Sequence, residues 1–167
     1  SNVYACNGAS AELSHCTLFH AQQICCRATT GACLNVVSCN LHSCPVGLDA
    51  ASGAQITMCE SRVTRCVMAA LRSLGKRSCI NVRDSRITSI AGGHGLISMD
   101  LSRIVLEKCL VATDKGLCVR LHTSHVSCQE TQFQSGAEGA NAVGVALHRS
   151  ASGDFESCSF TRGAGSI

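Results

Sequence analysis

The chain has 167 residues, 14 Lys+Arg against 11 Asp+Glu, and a formal net charge of +3. That is the length of one ordinary domain, and the charge is too mild to favour nucleic acid or an anionic membrane as a partner. Hydrophobic residues make up 46% and aromatic residues 3%, with no Trp, which excludes a disordered chain and points to a core of thin aliphatic layers. No apolar run reaches the roughly 18 residues of a membrane span, and no signal peptide is visible.

One pattern recurs seven times along the chain: apolar, x, x, small residue, x, apolar. Its copies are Leu13-x-x-Cys16-x-Leu18, Val36-x-x-Cys39-x-Leu41, Met58-x-x-Ser61-x-Val63 and Val82-x-x-Ser85-x-Ile87, then Leu106-x-x-Cys109-x-Val111, Cys128-x-x-Thr131-x-Phe133 and Phe155-x-x-Cys158-x-Phe160. The steps between copies are 23, 22, 24, 24, 22 and 27 residues. A period held this narrowly is the signature of a solenoid. An apolar residue two places earlier (Leu34, Ile56, Ile80, Ile104, Val126) completes a short alternating strand. The small positions Cys16, Cys39, Ser61, Ser85, Cys109, Thr131 and Cys158 then stack as a structural ladder, where a thiol or hydroxyl meets the backbone of the turn.

The segments between these strands decide the subclass. Ala21, Ile24, Cys25 and Ala28 have helical spacing, which also gives the Cys25-Cys26 pair a helix-face packing role. Val67, Ala70, Leu71 and Leu74 follow i, i+3, i+4, i+7, with Gly75 placed as a helix C-cap. Asp114 stands as the N-cap of a helix towards Leu121, and Ala137, Ala140, Val143 and Leu147 form one more stripe. Pro45, Gly47, Gly92, Gly93 and Gly95 oppose helix in the other repeats. Short strand alternating with short helix predicts an α/β solenoid of about seven repeats over residues 1–167, opening and closing partway through a repeat, as a segment of a longer chain would. The alternative is a right-handed parallel β-helix, for which Gly116–Val119 and Gly144–Leu147 supply further strands.

The stretch Leu101-x-x-Ile104-x-Leu106-x-x-Cys109-x-Val111-x-Thr113-Asp114-x-Gly116-Leu117-x-x-x-Leu121 resembles a leucine-rich repeat of the cysteine-containing type. Phe155 to Ala164 is similar to the same element, and Phe133-Gln134-Ser135-Gly136-Ala137 to the ribonuclease-inhibitor-like variety. The leading Leu of the consensus is replaced by Gly8, Gly31, Gly53, Thr123 and Ser150. The resemblance implies a non-enzymatic interaction or scaffold module within a larger assembly, such as an axonemal or other cytoskeletal complex, or the substrate-recognition part of a ubiquitin ligase. It implies binding through a concave strand face, to which Arg83, Asp84, Arg103, Glu107, Lys108, Glu130, Asp154 and Glu156 contribute. Arg83 is then expected to pair with Glu107 on the next strand, and Lys108 to sit between Asp84 and Glu130.

Fourteen cysteines would suit a secreted disulfide scaffold. Against this, no Asn-x-Ser/Thr sequon and no Cys-x-x-Cys spacing occur, and many cysteines hold the repeat register. A reducing, cytoplasmic compartment is the expectation, with Cys as a small buried hydrophobe. No phosphate-binding loop or nucleophile elbow is present, and His122, His125 and His148 read as solvent-facing residues at repeat edges. No cofactor, metal or small-molecule substrate is expected, and a protein is the expected partner. The alternative fold carries its own function, a carbohydrate-active enzyme or carbohydrate-binding protein.

Overall fold

The computed structural model describes residues 1–136 and 144–162. Twenty-one short strands coil into three seven-stranded sheets, all of whose pairings are parallel. Sheet A holds β1 (Val3–Ala5), β4 (Ile24–Ala28), β7 (Val46–Ala51), β10 (Ala69–Leu74), β13 (His94–Met99), β16 (Val119–His122) and β19 (Val145–His148). Sheet B holds β2 (Ser10–Ser14), β5 (Cys33–Val37), β8 (Gln55–Cys59), β11 (Cys79–Arg83), β14 (Arg103–Glu107), β17 (His125–Gln129) and β20 (Ser152–Glu156). Sheet C holds β3 (Thr17–Phe19), β6 (Asn40–His42), β9 (Arg62–Cys66), β12 (Arg86–Ser89), β15 (Leu110–Thr113), β18 (Gln132–Ser135) and β21 (Ser159–Arg162). Each turn visits A, B and C once, and each strand pairs with the equivalent strand one turn away.

The chain is therefore a parallel β-solenoid of about seven turns, and no helix occurs among the described residues. The expectation of an α/β repeat is corrected on that point, and the β-helix alternative is consistent with what is seen. Ala69–Leu74 is β10, with Ala69, Ala70 and Leu71 fully buried; Val67 and Met68 are exposed ahead of it. Ile24–Ala28 is β4 and Val119–His122 is β16. Gly75 sits at a corner with φ +83°, not after a helix. The Asp114 carboxylate accepts the backbone N–H groups of Ala91, Gly92 and Lys115, so it ties one turn to the previous one instead of capping a helix. Ala137, Ala140 and Val143, and Gly163 with Ala164, lie outside the described residues. The physical reason for the difference is burial: a strand packed inside a parallel sheet reads as a continuous apolar run, and over six residues this is indistinguishable from a helical stripe.

The recurring pattern of the sequence maps onto sheets B and C. Leu34 and Val36, Ile56 and Met58, Ile80 and Val82, and Ile104 and Leu106 point inward from sheet B. Leu41, Val63, Ile87, Val111 and Phe133 meet them from sheet C. The registers Cys33↔Gln55↔Cys79↔Arg103↔His125↔Ser152 repeat the sequence period residue for residue. From the first residue of each sheet B strand to the first of the following sheet C strand the step is always seven residues (Ser10 to Thr17, Ser152 to Ser159). Variation in turn length falls in the other two corners and in one register shift of sheet C, between Val63 and Cys66 of β9.

The corner between sheets C and A is narrow, and small residues line it. A Cβ added to Gly47 would overlap Val63 Cγ1 and stand 2.5 Å from the Ala70 carbonyl oxygen, and one on Gly95 would be 2.6 Å from both the Cys118 carbonyl oxygen and Val111 Cγ1. Gly47→Ala is expected to lower stability by about 1–3 kcal/mol through overpacking. A reduced urea midpoint at unchanged m value checks this.

Candidate functional site

The edge where sheet B turns into sheet C is built identically in every turn. The last sheet B residue is followed by one in the left-handed region: His15, Ser38, Glu60, Asp84, Lys108, Glu130 and Ser157 have φ between 47° and 53°. The next residue is the ladder position. Its side chain donates to the carbonyl two residues back in all seven turns: Cys16 to Ser14 at 3.2 Å, Cys39 to Val37 at 3.2 Å, Ser61 to Cys59 at 2.7 Å and Ser85 to Arg83 at 2.7 Å. Cys109 donates to Glu107 at 3.2 Å, Thr131 to Gln129 at 3.0 Å and Cys158 to Glu156 at 3.3 Å. The same side chains accept from the turn before. The N–H of Cys16 donates to Cys39 Sγ, that of Cys39 to Ser61 Oγ, that of Ser61 to Ser85 Oγ and that of Cys109 to Thr131 Oγ1. The carbonyls are doubly used: Cys59 O takes Ser61 Oγ–H and the N–H of Ser38 at 3.1 Å. A short hydroxyl or thiol fits here because it satisfies one donor and one acceptor in a corner that strand pairing leaves open.

The charged residues singled out in the sequence lie on this edge and beside it, on the outside of a closed three-sheet coil. On sheet B, Arg103, Glu107, Asp154 and Glu156 point outward from β14 and β20, and Arg83, at the end of β11, holds the same register position as Glu107 and Glu156. Asp84, Lys108 and Glu130 occupy left-handed corner positions, which aim their side chains to solvent. Arg83 and Glu107 are register partners, but Arg83 Nε bonds the next residue, Asp84, at 2.9 Å, and Lys108 Nζ lies 3.8 Å from the preceding Glu107. These two ion pairs thus form within a turn instead of across turns, because the corner folds sequence neighbours towards each other. Arg103 stands between Cys79 and His125 in the ladder of sheet B; His125 bonds Ser152 and lies 3.4 Å from Asp154. Glu60, Arg62, Asp84, Arg86, Lys108 and Glu130 wall a shallow groove of about 600 Å³ along the edge.

Three clusters were not read from the sequence. On the outside of sheet A the register Arg27↔Asp49↔Arg72 puts a fully buried carboxylate between two arginines, 3.1 Å from Arg27 Nε and 2.7 Å from Arg72 Nε. Only the second contact has hydrogen-bond alignment. The signal was one turn of spacing on each side of an Asp in an apolar run. Cys44 contacts Cys25 and, separately, Cys66. Contacts with Cys26 and Cys44, together with burial, raise Cys25; contact with Cys44 and burial raise Cys66; hydrogen bonds from Cys25 and Cys66 pull Cys44 down against burial. Phe133, Phe155 and Phe160 cluster across the last two turns, with Phe133 and Phe160 parallel at 4.8 Å and Phe155 edge-on to both. Among the described residues no three His, Cys, Asp or Glu side chains converge as metal ligands; His122 and His148 are neighbours on sheet A and His125 is on sheet B.

The site and fold define a class, a parallel β-solenoid with a hydrogen-bonded internal ladder and a charged outer edge. Comparison with known proteins adds no relative: no family model matches the chain, and neither a curated protein nor a solved structure is significantly similar to it.

Ser61→Ala removes a donor to Cys59 O and the acceptor of the Cys39 N–H, and is expected to cost about 2 kcal/mol in chemical denaturation, with Ser61→Cys recovering at least half. All fourteen cysteines are free thiols. Burial pushes Cys109 up to about 11, and Cys118 and Cys128 also upward. In the unfolded chain these thiols ionise near 9, so the folded state binds more protons above that pH. The Cys109 contribution is complete below pH 9 and lost as pH rises towards about 11, and those of Cys118 and Cys128 fall in the same sense above pH 9. Urea midpoints at pH 7 and pH 10 in reductant are expected to fall in that order.

Proposed function

We propose that this protein is a non-enzymatic binding scaffold that holds a protein partner along the edge between sheets B and C. The observation that carries the reading is the charge order on that edge. Successive left-handed positions present Ser38, Glu60, Asp84, Lys108 and Glu130, and the adjacent column presents Asn40, Arg62, Arg86, Leu110 and Gln132. Two of these side chains, Asp84 and Lys108, pair with a neighbour inside their own turn. Among the described residues Glu60, Glu130, Arg62 and Arg86 form no ion pair, and each is exposed. Parallel strands about 4.8 Å apart hold both rows rigidly, since every left-handed residue is fixed by the ladder behind it. Such an array suits an extended segment of mixed charge, with acidic groups facing Arg62 and Arg86 and basic groups facing Glu60 and Glu130. Charge complementarity of this kind sets register and association rate more than raw affinity. Fourteen free thiols, most of them packed in the core, support a reducing compartment as the place of action.

The carbohydrate reading shares the architecture. Its enzymatic form needs a carboxylate placed as a general acid, with its pKa raised by burial or by a like charge. The one buried carboxylate among the described residues, Asp49, is flanked by two arginines, so the binding reading is preferred.

The double variant Glu60→Lys/Glu130→Lys is expected to release a co-purifying partner while the circular dichroism spectrum and melting temperature stay within error. The wild-type complex is expected to weaken by at least about tenfold between 0.05 and 0.5 M salt. A partner retained equally by both proteins and at both salt concentrations would overturn the edge as the binding surface. Release of reducing ends from an acidic polysaccharide by the purified chain would transfer the assignment to the carbohydrate reading.

A further inference from the structure

Sheet C is a basic side of the coil. None of its seven strands contains Asp or Glu, and its charged residues are Arg62, Arg65, Arg86 and Arg162. Arg62 and Arg86 are the first residues of β9 and β12, and they are register partners. Both are exposed, and the residues after them, Val63 and Ile87, point into the core. Two guanidinium-bearing side chains thus leave the same face of the sheet on strands about 4.8 Å apart. Like charges set directly opposite each other are unfavourable. An anion lying between the two relieves that repulsion. Both arginines lie at the end of the sheet C strands opposite to the corner that leads into residues 137–143.

The carboxylates nearest to them in the chain are directed elsewhere. Asp84 Oδ2 is held by Arg83 Nε at 2.9 Å, on the sheet B side of the corner. Glu60 Oε2 accepts the Ser38 Oγ–H at 3.5 Å, on the preceding turn. In the arginines' own column the neighbours are Asn40 on one side and Leu110 on the other, both uncharged. The cationic site is therefore two residues wide, and it opens on the groove along the edge. A polyanion stretched along that groove would run against Glu60 and Glu130, which also line it. One compact group with two negative charges would not. A phosphoryl ester has nearly two charges and three acceptor oxygens, so each guanidinium can take oxygens of its own; a carboxylate has one charge and two oxygens to divide between them.

We propose that Arg62 and Arg86 together receive a phosphorylated serine or threonine of the protein partner, each guanidinium bonding oxygens of the same phosphoryl group. The inference rests on the partner reading of this edge given above, and it adds the chemistry of the residue that anchors the partner.

The test has two arms. In the first, the arginine Nε–Hε signals of the whole chain are followed by NMR during titration with N-acetyl-phosphoserine methylamide and, separately, its glutamate counterpart. Ionic strength is held near 0.15 M with chloride. Saturable shifts of Arg62 and Arg86 are expected, with the phosphorylated compound binding at least about fivefold more tightly. Arg62→Gln and Arg86→Gln are each expected to weaken it at least about fivefold, and either serves if the other does not fold. Arg77→Gln, exposed at the corner between sheets A and B, is expected to leave binding unchanged. Linear shifts, equal affinity for the glutamate compound, or an equal loss in Arg77→Gln would overturn the proposal. So would tighter binding of a single-stranded oligothymidylate that also depends on Arg162. In the second arm the partner complex is treated with a protein phosphatase, and release of the partner is expected. A partner kept after dephosphorylation, yet released from the Glu60→Lys/Glu130→Lys variant, overturns the phosphoryl inference alone. A partner kept by that variant, yet released by the phosphatase, supports the arginine pair and overturns only the acidic half of the edge reading.

Discussion

The hydrogen bond on which this fold depends is the one from a ladder side chain to the carbonyl two residues behind it. Where sheet B bends into sheet C, the chain enters the left-handed region at residues such as Glu60, Asp84 and Lys108. None of these is glycine, and non-glycine residues adopt that region at a cost of roughly 1 kcal/mol or more. The cost is offset because the bend aims the next N–H at the oxygen or sulfur of the neighbouring rung, and aims that rung's own proton at a carbonyl. Ser61 and Ser85 do this with hydroxyls at 2.7 Å, Cys39 and Cys109 with thiols at 3.2 Å. The weaker thiol bond comes with more apolar burial, which explains why both residue types serve at one structural position.

The repeat itself was legible because the inward residues of sheets B and C obey a strict alternation interrupted by one fixed corner. Leu34, Val36, Cys39 and Leu41 can be aligned with Ile104, Leu106, Cys109 and Val111 without gaps. Sheet A was not legible in the same way. Its strands are buried along most of their length, as in Val46 to Ala51, so alternation disappears. Small residues such as Gly47, Ala70 and Gly95 follow the narrow corner, and they also mimic helix spacing or helix breaking. The resemblance to leucine-rich repeats drew on the part of the turn that both architectures share, a short parallel strand followed by a polar rung, and the remaining third of each turn separates them.

The site was legible as a list of residues more than as an arrangement. Arg83, Asp84, Glu107 and Lys108 were all placed near one another, but the pairs that form are Arg83–Asp84 and Glu107–Lys108. Strand register brings Arg83 beside Glu107; the left-handed corner brings Asp84 closer still. Asp49 shows the converse. It looks isolated in its own stretch, and its partners are 22 residues back and 23 residues ahead, at Arg27 and Arg72. Local sequence does not carry such pairs; only the turn length does.

The constant step of seven residues between sheets B and C makes that edge a ruler, with graduations of about 4.8 Å set by strand spacing. A ligand that reads several graduations meets the same backbone geometry after shifting by one of them, so backbone contacts alone leave it free to slide. For the partner proposed above, the feature that would fix its phase is the one interruption in the acidic run, Lys108 between Asp84 and Glu130. Displacement by a single turn would set that ammonium against the wrong charge. The other two corners, where turn length varies, are free to accept insertions without disturbing the graduations.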